Sequence, residues 1–174
     1  MKMLIARAVL LLTMPALLWA QDADHPYRGQ GYLFFGAGPG TGGPTKPVFK
    51  QVGGGGEGFL YKGLGVGAEV EYANPSEGSN EFTNALVGSA YFSYHFGRHA
   101  KRGKVDPFAL GGFSVVGPAQ AGGGRGSLAG NFGGGANWWL ATHAALRFEF
   151  RDVVGAKFWP YDHVLSFRLG VTFR

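Results

Sequence analysis

The closing stretch of the chain alternates without interruption. Leu165, Phe167, Leu169, Val171 and Phe173 fall on one side, and Ser166, Arg168, Gly170 and Thr172 on the other. Successive side chains of an extended strand point to opposite faces, so a period of two predicts a strand with one apolar and one polar face. The same pattern sets Leu146, Phe148 and Phe150 against Arg147, Glu149 and Arg151. It also sets Leu64, Val66, Ala68, Val70 and Tyr72 against Gly65, Gly67, Glu69 and Glu71. No segment carries a convincing helical period, so the expected fold is all-β.

Eight strand-like runs are expected, at Gln30–Gly38, Gln51–Tyr61, Leu64–Ala73, Phe82–Phe96, Pro107–Gly117, Leu128–Leu140, His143–Asp152 and Val164–Phe173. Each is near or above the roughly 9–11 residues that a tilted strand needs to cross a bilayer, whereas strands of globular proteins run nearer to about 5–6. Most of the 32 glycines sit inside these runs beside aromatic and branched residues, and they form neither a collagen-like period nor a Gly/Ser linker. Strands two and three are joined by Lys62-Gly63 and strands six and seven by Ala141-Thr142. Longer links run over Pro39–Lys50, Asn74–Glu81, Pro118–Ser127 and Val153–His163. Short turns on one rim and long loops on the other, with an even strand count, fit an outer-membrane barrel. The long link Gly97–Asp106 departs from that alternation.

Alternation alone does not fix which face points inward. A soluble, secreted, lipocalin-like barrel would turn its apolar face in around a ligand. The polar faces here consist of Gly, Ser and a few charges, a poor water-facing surface that suits a narrow packed lumen. Aromatic residues fall where strands should end: Tyr61, Tyr94, Phe96, Phe108, Trp138, Trp139 and Phe173 towards one rim, Tyr72 and Phe82 towards the other. That is the placement of interfacial girdles. The faces of the first two strands stay open, because Phe59 and Tyr61 share a side with Glu57.

With the apolar face towards lipid, Glu57, Glu69, Glu71, Arg147, Glu149, Arg151 and Arg168 form a lumen charge cluster in a middle layer. Such charges must pair across the axis of so narrow a barrel. A structural salt-bridge core is the expectation, and a narrow porin-like channel gated by these groups is the alternative.

Ahead of the strands, Met1 to Ala20 reads as a cleaved signal peptide. Lys2 and Arg7 form the positive region and Ala8 to Leu18 the apolar one, a run short of the roughly 20 residues of a membrane helix. The mature domain is expected over residues 21–174. The chain has no cysteine, which excludes a lipid-anchored N-terminus, disulfides and cysteine metal sites. Loss of the leader lowers the formal charge from +5 to about +3, too weak and dispersed for nucleic acid.

Several residue groups carry side chains capable of chemistry. Ser93 and His95 lie two apart on one strand and His143 opens another, but none has an acidic orienter at a recognisable spacing. No catalytic site is expected. The five histidines are scattered, so no metal or cofactor is expected. Gly53–Gly56 and Gly122–Gly124 neither lead into a helix nor precede Lys-Ser/Thr, so they are not phosphate loops. Arg98, Lys101, Arg102 and Lys104 form a basic link that could meet anionic headgroups or cell-wall polymers. Phe158, Trp159 and Tyr161 concentrate aromatics in one long loop, a candidate for binding a carbohydrate or partner, or for anchoring at the interface.

Taken together, Asn131-Phe132-Gly133-Gly134-Gly135, Leu146-Arg147-Phe148-Glu149-Phe150-Arg151 and the closing Leu165–Phe173 run resemble the small eight-stranded outer-membrane barrels of the outer membrane protein A and outer membrane protein X type. The resemblance covers nearly all of residues 21–174 and implies an eight-stranded antiparallel up-and-down transmembrane β-barrel in a bacterial outer membrane. It implies outer-membrane lipids as partners, with periplasmic chaperones and the barrel-assembly machinery in biogenesis. Leu169, Val171 and Phe173 match the terminal strand read by that machinery, although here Arg174 follows the aromatic. A peptidoglycan-binding domain of the kind carried by outer membrane protein A is not expected, because the chain stops with the last strand.

Overall fold

An amphipathic strand satisfies its backbone only by pairing on both edges, and a sheet that closes on itself leaves no edge unpaired. This chain adopts that solution. A computed structural model describes residues 28–43, 47–76, 84–96, 105–119, 126–155 and 161–174. The expected leader lies outside them.

Eight strands follow one another: β1 (Gly29–Thr41), β2 (Val48–Tyr61), β3 (Leu64–Pro75), β4 (Ala85–His95), β5 (Val105–Pro118), β6 (Ser127–Trp139), β7 (Ala144–Val154) and β8 (His163–Phe173). Each pairs antiparallel with the next, and β1 pairs with β8, so the sheet is a closed barrel. The closing register sets Gly31 opposite Phe173 and Gly36 opposite Arg168. The strands exceed their expected lengths mainly at the long-loop rim, where β1 runs on to Thr41, β3 to Pro75 and β7 to Val154.

The short turns hold the opposite rim. Lys62 and Gly63 both have positive φ, 42° and 85°, which matches the right-handed twist of the strands they join. The β6–β7 link runs from Leu140 to His143, two residues longer than expected, and is closed by bonds from the Leu140 and Ala141 amides to the Ala144 carbonyl.

The alternation resolves into an apolar exterior and a mixed interior. Leu33, Phe113 and Phe167 are 64%, 68% and 69% exposed on the outer wall. On the other face of the same strands, Tyr32, Ser114, Ser166 and Arg168 are buried. An inward apolar face around a ligand, the soluble lipocalin-like arrangement, is thereby overturned.

The first two strands also take definite faces. Tyr32 and Phe34 point in and Leu33 and Phe35 out. In β2, Glu57 is buried, and the β2–β3 register shifts between Phe59 and Tyr61. That bulge places Leu60 and Tyr61 together on the outer surface, so the parity that grouped Tyr61 with Glu57 fails at one inserted residue.

Candidate functional site

The interior is stacked in three layers. At the long-loop end, Phe49, Ala73, Ala85, Val87, Val116, Ala129, Val153, Tyr161 and Val164 pack into an apolar plug. These come from the outer ends of seven strands and from Tyr161, two residues ahead of β8, where the polar faces of the middle barrel give way to branched and aromatic side chains. Tyr161 meets Phe49 edge-on, with ring centroids 5.9 Å apart. For Tyr161 the loop expectation does not hold. Tyr161 is buried in the barrel mouth and is not displayed, while Phe158 and Trp159 lie outside the described residues.

The middle layer holds six of the seven charged residues singled out from the sequence. Glu149, on β7 between two arginines, contacts Arg147 Nη2 at 2.6 Å and Arg151 Nη2 at 2.7 Å. Arg151 Nη2 reaches across to Glu69 on β3 at 3.2 Å. Arg168, on β8, binds Glu69 at 2.7 Å and Glu149 at 3.3 Å, and also donates to Glu71. All six side chains are almost completely buried.

The arginines are supported on aromatic faces as well. Arg147 lies over Tyr32 and Phe108 at 4.2 and 4.1 Å, Arg168 over Phe34 at 4.5 Å and Arg151 over Tyr91 at 5.2 Å. Tyr32 donates its hydroxyl proton to Glu69 at 2.7 Å, and its oxygen is 2.7 Å from the Tyr91 hydroxyl. Buried charges are tolerated when each is paired and hydrogen-bonded, and each of these six side chains has such a partner, although Nη1 of Arg147 makes no hydrogen bond.

Phe108 and Trp139 therefore do not belong to an interfacial girdle. Phe108 is buried beneath Arg147, and Trp139 is buried with Arg174 stacked over it at 3.9 Å. Tyr61, Tyr94, Phe96, Trp138 and Phe173 do lie exposed at the short-turn rim, and Tyr72 is exposed nearer the loop rim. Phe82 lies outside the described residues.

Glycine supplies the room for this packing. A Cβ on Gly55 would fall 2.7 Å from the Tyr32 hydroxyl and 2.5 Å from the Ala68 carbonyl oxygen, and one on Gly67 would fall within 2.6 Å of three Tyr91 ring and hydroxyl atoms. Bare inward positions on β2 and β3 let the aromatics of β1 and β4 lie across the lumen.

The third layer lies at the short-turn end, and Glu57 belongs here, apart from the other six. His95 is buried between two carboxylates, with Nδ1 2.7 Å from Asp106 and Nε2 2.7 Å from Glu57. Phe59 packs edge-on and Phe108 stacks against the imidazole. The sequence reading gave His95 no acidic orienter, and the structure supplies one in Asp106. It sits eleven residues away across the long β4–β5 link, a spacing with no recognisable signature. With both ring nitrogens facing carboxylates, His95 has none left to act as a base towards Ser93, which is itself buried. His143 is exposed at the rim, with Nδ1 3.1 Å from the main-chain oxygen of Arg174. Among the described residues no group of three or more metal-ligating side chains is placed to hold an ion, and the basic link of Arg98, Lys101, Arg102 and Lys104 lies outside them.

A closed eight-stranded antiparallel barrel, apolar outside and packed with polar side chains inside, defines the fold of small transmembrane β-barrels. Solved structures share it. The chain is similar to the N-terminal β-barrel domain of Pseudomonas aeruginosa OprF (TM-score 0.61, 15% identity, 84% of this chain and 96% of that one). It is similar to Neisserial surface protein A as well (TM-score 0.60, 12% identity, 83% and 94%), and to a de novo designed transmembrane β-barrel (TM-score 0.52, 16% identity, 86% and 97%). At these identities the likeness is one of fold. No family model matches the sequence, and no curated protein matches it.

Proposed function

We propose that this protein is an integral outer-membrane barrel of structural or surface-interaction role, whose lumen is sealed and whose long loops are its contact with the outside. The observation that carries the reading is the pairing of an apolar outer wall with an interior closed twice over. A charge network fills the middle, and an apolar plug lies between it and the loop rim. An eight-stranded barrel is only wide enough for its side chains to fill, and here they fill it. A narrow channel would need a continuous polar path, and the plug interrupts one. No catalytic role is assigned to the interior, because its nucleophile and base candidates are buried and the imidazole is held from both sides.

In this reading outer-membrane lipids surround the wall. Leu169, Val171 and Phe173 all project outward from β8, available to the barrel-assembly machinery after periplasmic chaperones deliver the chain, and Met1–Ala20 is the export signal. The likeness in fold to OprF and Neisserial surface protein A supports the location.

Gel mobility of the outer-membrane fraction, with and without boiling, tests the barrel and its place together. A band there that shifts on heating is expected. A soluble periplasmic protein with no heat shift would reject the location. Planar-bilayer recording tests the seal: a stable, ion-selective conductance that changes in Arg168→Ala would overturn it.

A further inference from the structure

Exposed charge is distributed unevenly over the barrel. Among the described residues, every acidic side chain but one is buried inside or against the wall, and the exception, Asp162, stands at the long-loop rim. Lys50 is exposed towards that same rim. The short-turn rim carries Arg28, Lys62 and Arg174.

These three residues are neighbours around the rim. Arg28 precedes β1 and its carbonyl accepts from the Phe59 amide of β2 at 2.7 Å. Lys62 forms the β2–β3 turn with its ammonium 4.9 Å from the Tyr61 ring centroid. Arg174 follows β8, which pairs with β1. Its guanidinium is held in place, with Nε donating to the Thr142 carbonyl at 2.6 Å and the group stacked over Trp139. All three side chains are cationic at neutral pH. Just inside them lie the exposed side chains of Leu60, Tyr61, Trp138 and Phe173.

A cationic arc one residue beyond an aromatic and apolar belt is placed at the depth of phospholipid headgroups. We propose that the short-turn rim, through Arg28, Lys62 and Arg174, binds the phosphate headgroups of anionic phospholipids and enriches them around this side of the barrel. The inference rests on the membrane reading of the proposed function. Two features favour lipid over a soluble anion: Arg28 and Lys62 stand exposed at the rim, and the adjoining wall would take the acyl chains of the same molecules.

Trp138, half-exposed at this rim, and Trp139, under Arg174, are reporters already in place. The mature protein carrying Trp159→Phe, so that only these two tryptophans remain, would be folded into phosphatidylcholine vesicles containing one-fifth phosphatidylglycerol. The bromine label would be carried on either the phosphatidylglycerol or an equal fraction of the phosphatidylcholine. Each cation near a charged surface contributes enough to enrich an anionic lipid several-fold, so quenching by brominated phosphatidylglycerol should exceed that by brominated phosphatidylcholine about twofold. The excess should fall towards unity at about 0.5 M salt, where screening is short-ranged, and in the Arg28→Gln, Lys62→Gln, Arg174→Gln variant. Equal quenching by the two labels in the unsubstituted rim would overturn the proposal. An excess that survives all three substitutions would overturn the assignment to these residues. Absence of quenching by either label would instead reject the membrane reading on which the proposal stands.

Discussion

Arg168 is the residue on which the interior network turns, and its removal gives the most discriminating test. It contacts Glu69, Glu71 and Glu149. Without it, Glu69 keeps Arg151 and Glu149 keeps both Arg147 and Arg151, whereas Glu71 loses the one cation with which it makes an ion pair among the described residues. Arg168→Met keeps an unbranched aliphatic side chain and deletes the guanidinium that lies over Phe34. Breaking a buried pair from one side costs about 3–5 kcal/mol, because the remaining ion is left uncompensated. Against a slope of about 2 kcal/mol per molar urea, that moves an unfolding midpoint down by roughly 2 M. Glu71→Gln on its own should cost less, since Arg168 retains two carboxylates. Combined with Arg168→Met it should restore part of the loss, giving a coupling energy of about 1–3 kcal/mol. Urea unfolding in lipid vesicles, followed by tryptophan fluorescence and by the heat-shifted band, measures all four corners of the cycle. A midpoint shift under about 0.5 M for Arg168→Met, or additivity of the two substitutions, would show that Glu71 and Arg168 are not an energetically coupled pair.

Further outcomes follow from the walls and the packing. Val70→Arg, on the outer face at the middle of β3, should destabilise the barrel in vesicles by about 2–4 kcal/mol, against about 0–1 for Leu60→Arg at the rim. Equal costs would place the lipid boundary elsewhere. Gly55→Val should cost about 1–3 kcal/mol through the crowding of Tyr32, while Gly88→Ala, which meets nothing within 4 Å, should leave the unfolding midpoint nearly unchanged. Phe49→Ala should destabilise by about 3–5 kcal/mol yet leave bilayers silent, because the ion-pair layer beneath the plug still blocks the lumen. A conductance in that variant would make the plug the sole seal.

The sequence was most legible where strands alternate without glycine at their apolar positions. In β3, β7 and β8 the faces read from parity agree with the structure, so that Glu69, Arg147 and Arg168 point inward with their neighbours two residues away. In β1 and β2 the pattern was masked by aromatics that face the lumen, because Tyr32 and Phe34 are apolar in a table of residue types but serve here as platforms for guanidinium groups. The bulge at Leu60 left no compositional trace. The apolar plug was also missed. Val87, Val116 and Val164 each look like part of an ordinary strand, Phe49 and Val153 fall in the expected long links, and only the stagger of eight strands brings them to one height. His95 and Asp106 meet for the same reason, across a link whose length carries no information about register. Ion-pair partners such as Glu69 and Arg168 were legible as a set of inward charges, whereas the placement of Glu57 beside His95 instead of with them needed coordinates.

The pairing of Gly31 with Phe173 has a consequence for how the molecule comes into being. The two strands that seal the cylinder are the first and the last to be made, so until β8 is in place there is only a curling ribbon with two raw margins. Arg168 sits on that final strand, and the network around Glu69, Glu71 and Glu149 stays incomplete, with carboxylates facing a half-open trough, until it docks. Closure of the sheet and completion of the network therefore depend on the same strand. A change at Arg168 bears on both closing the cylinder and neutralising its contents.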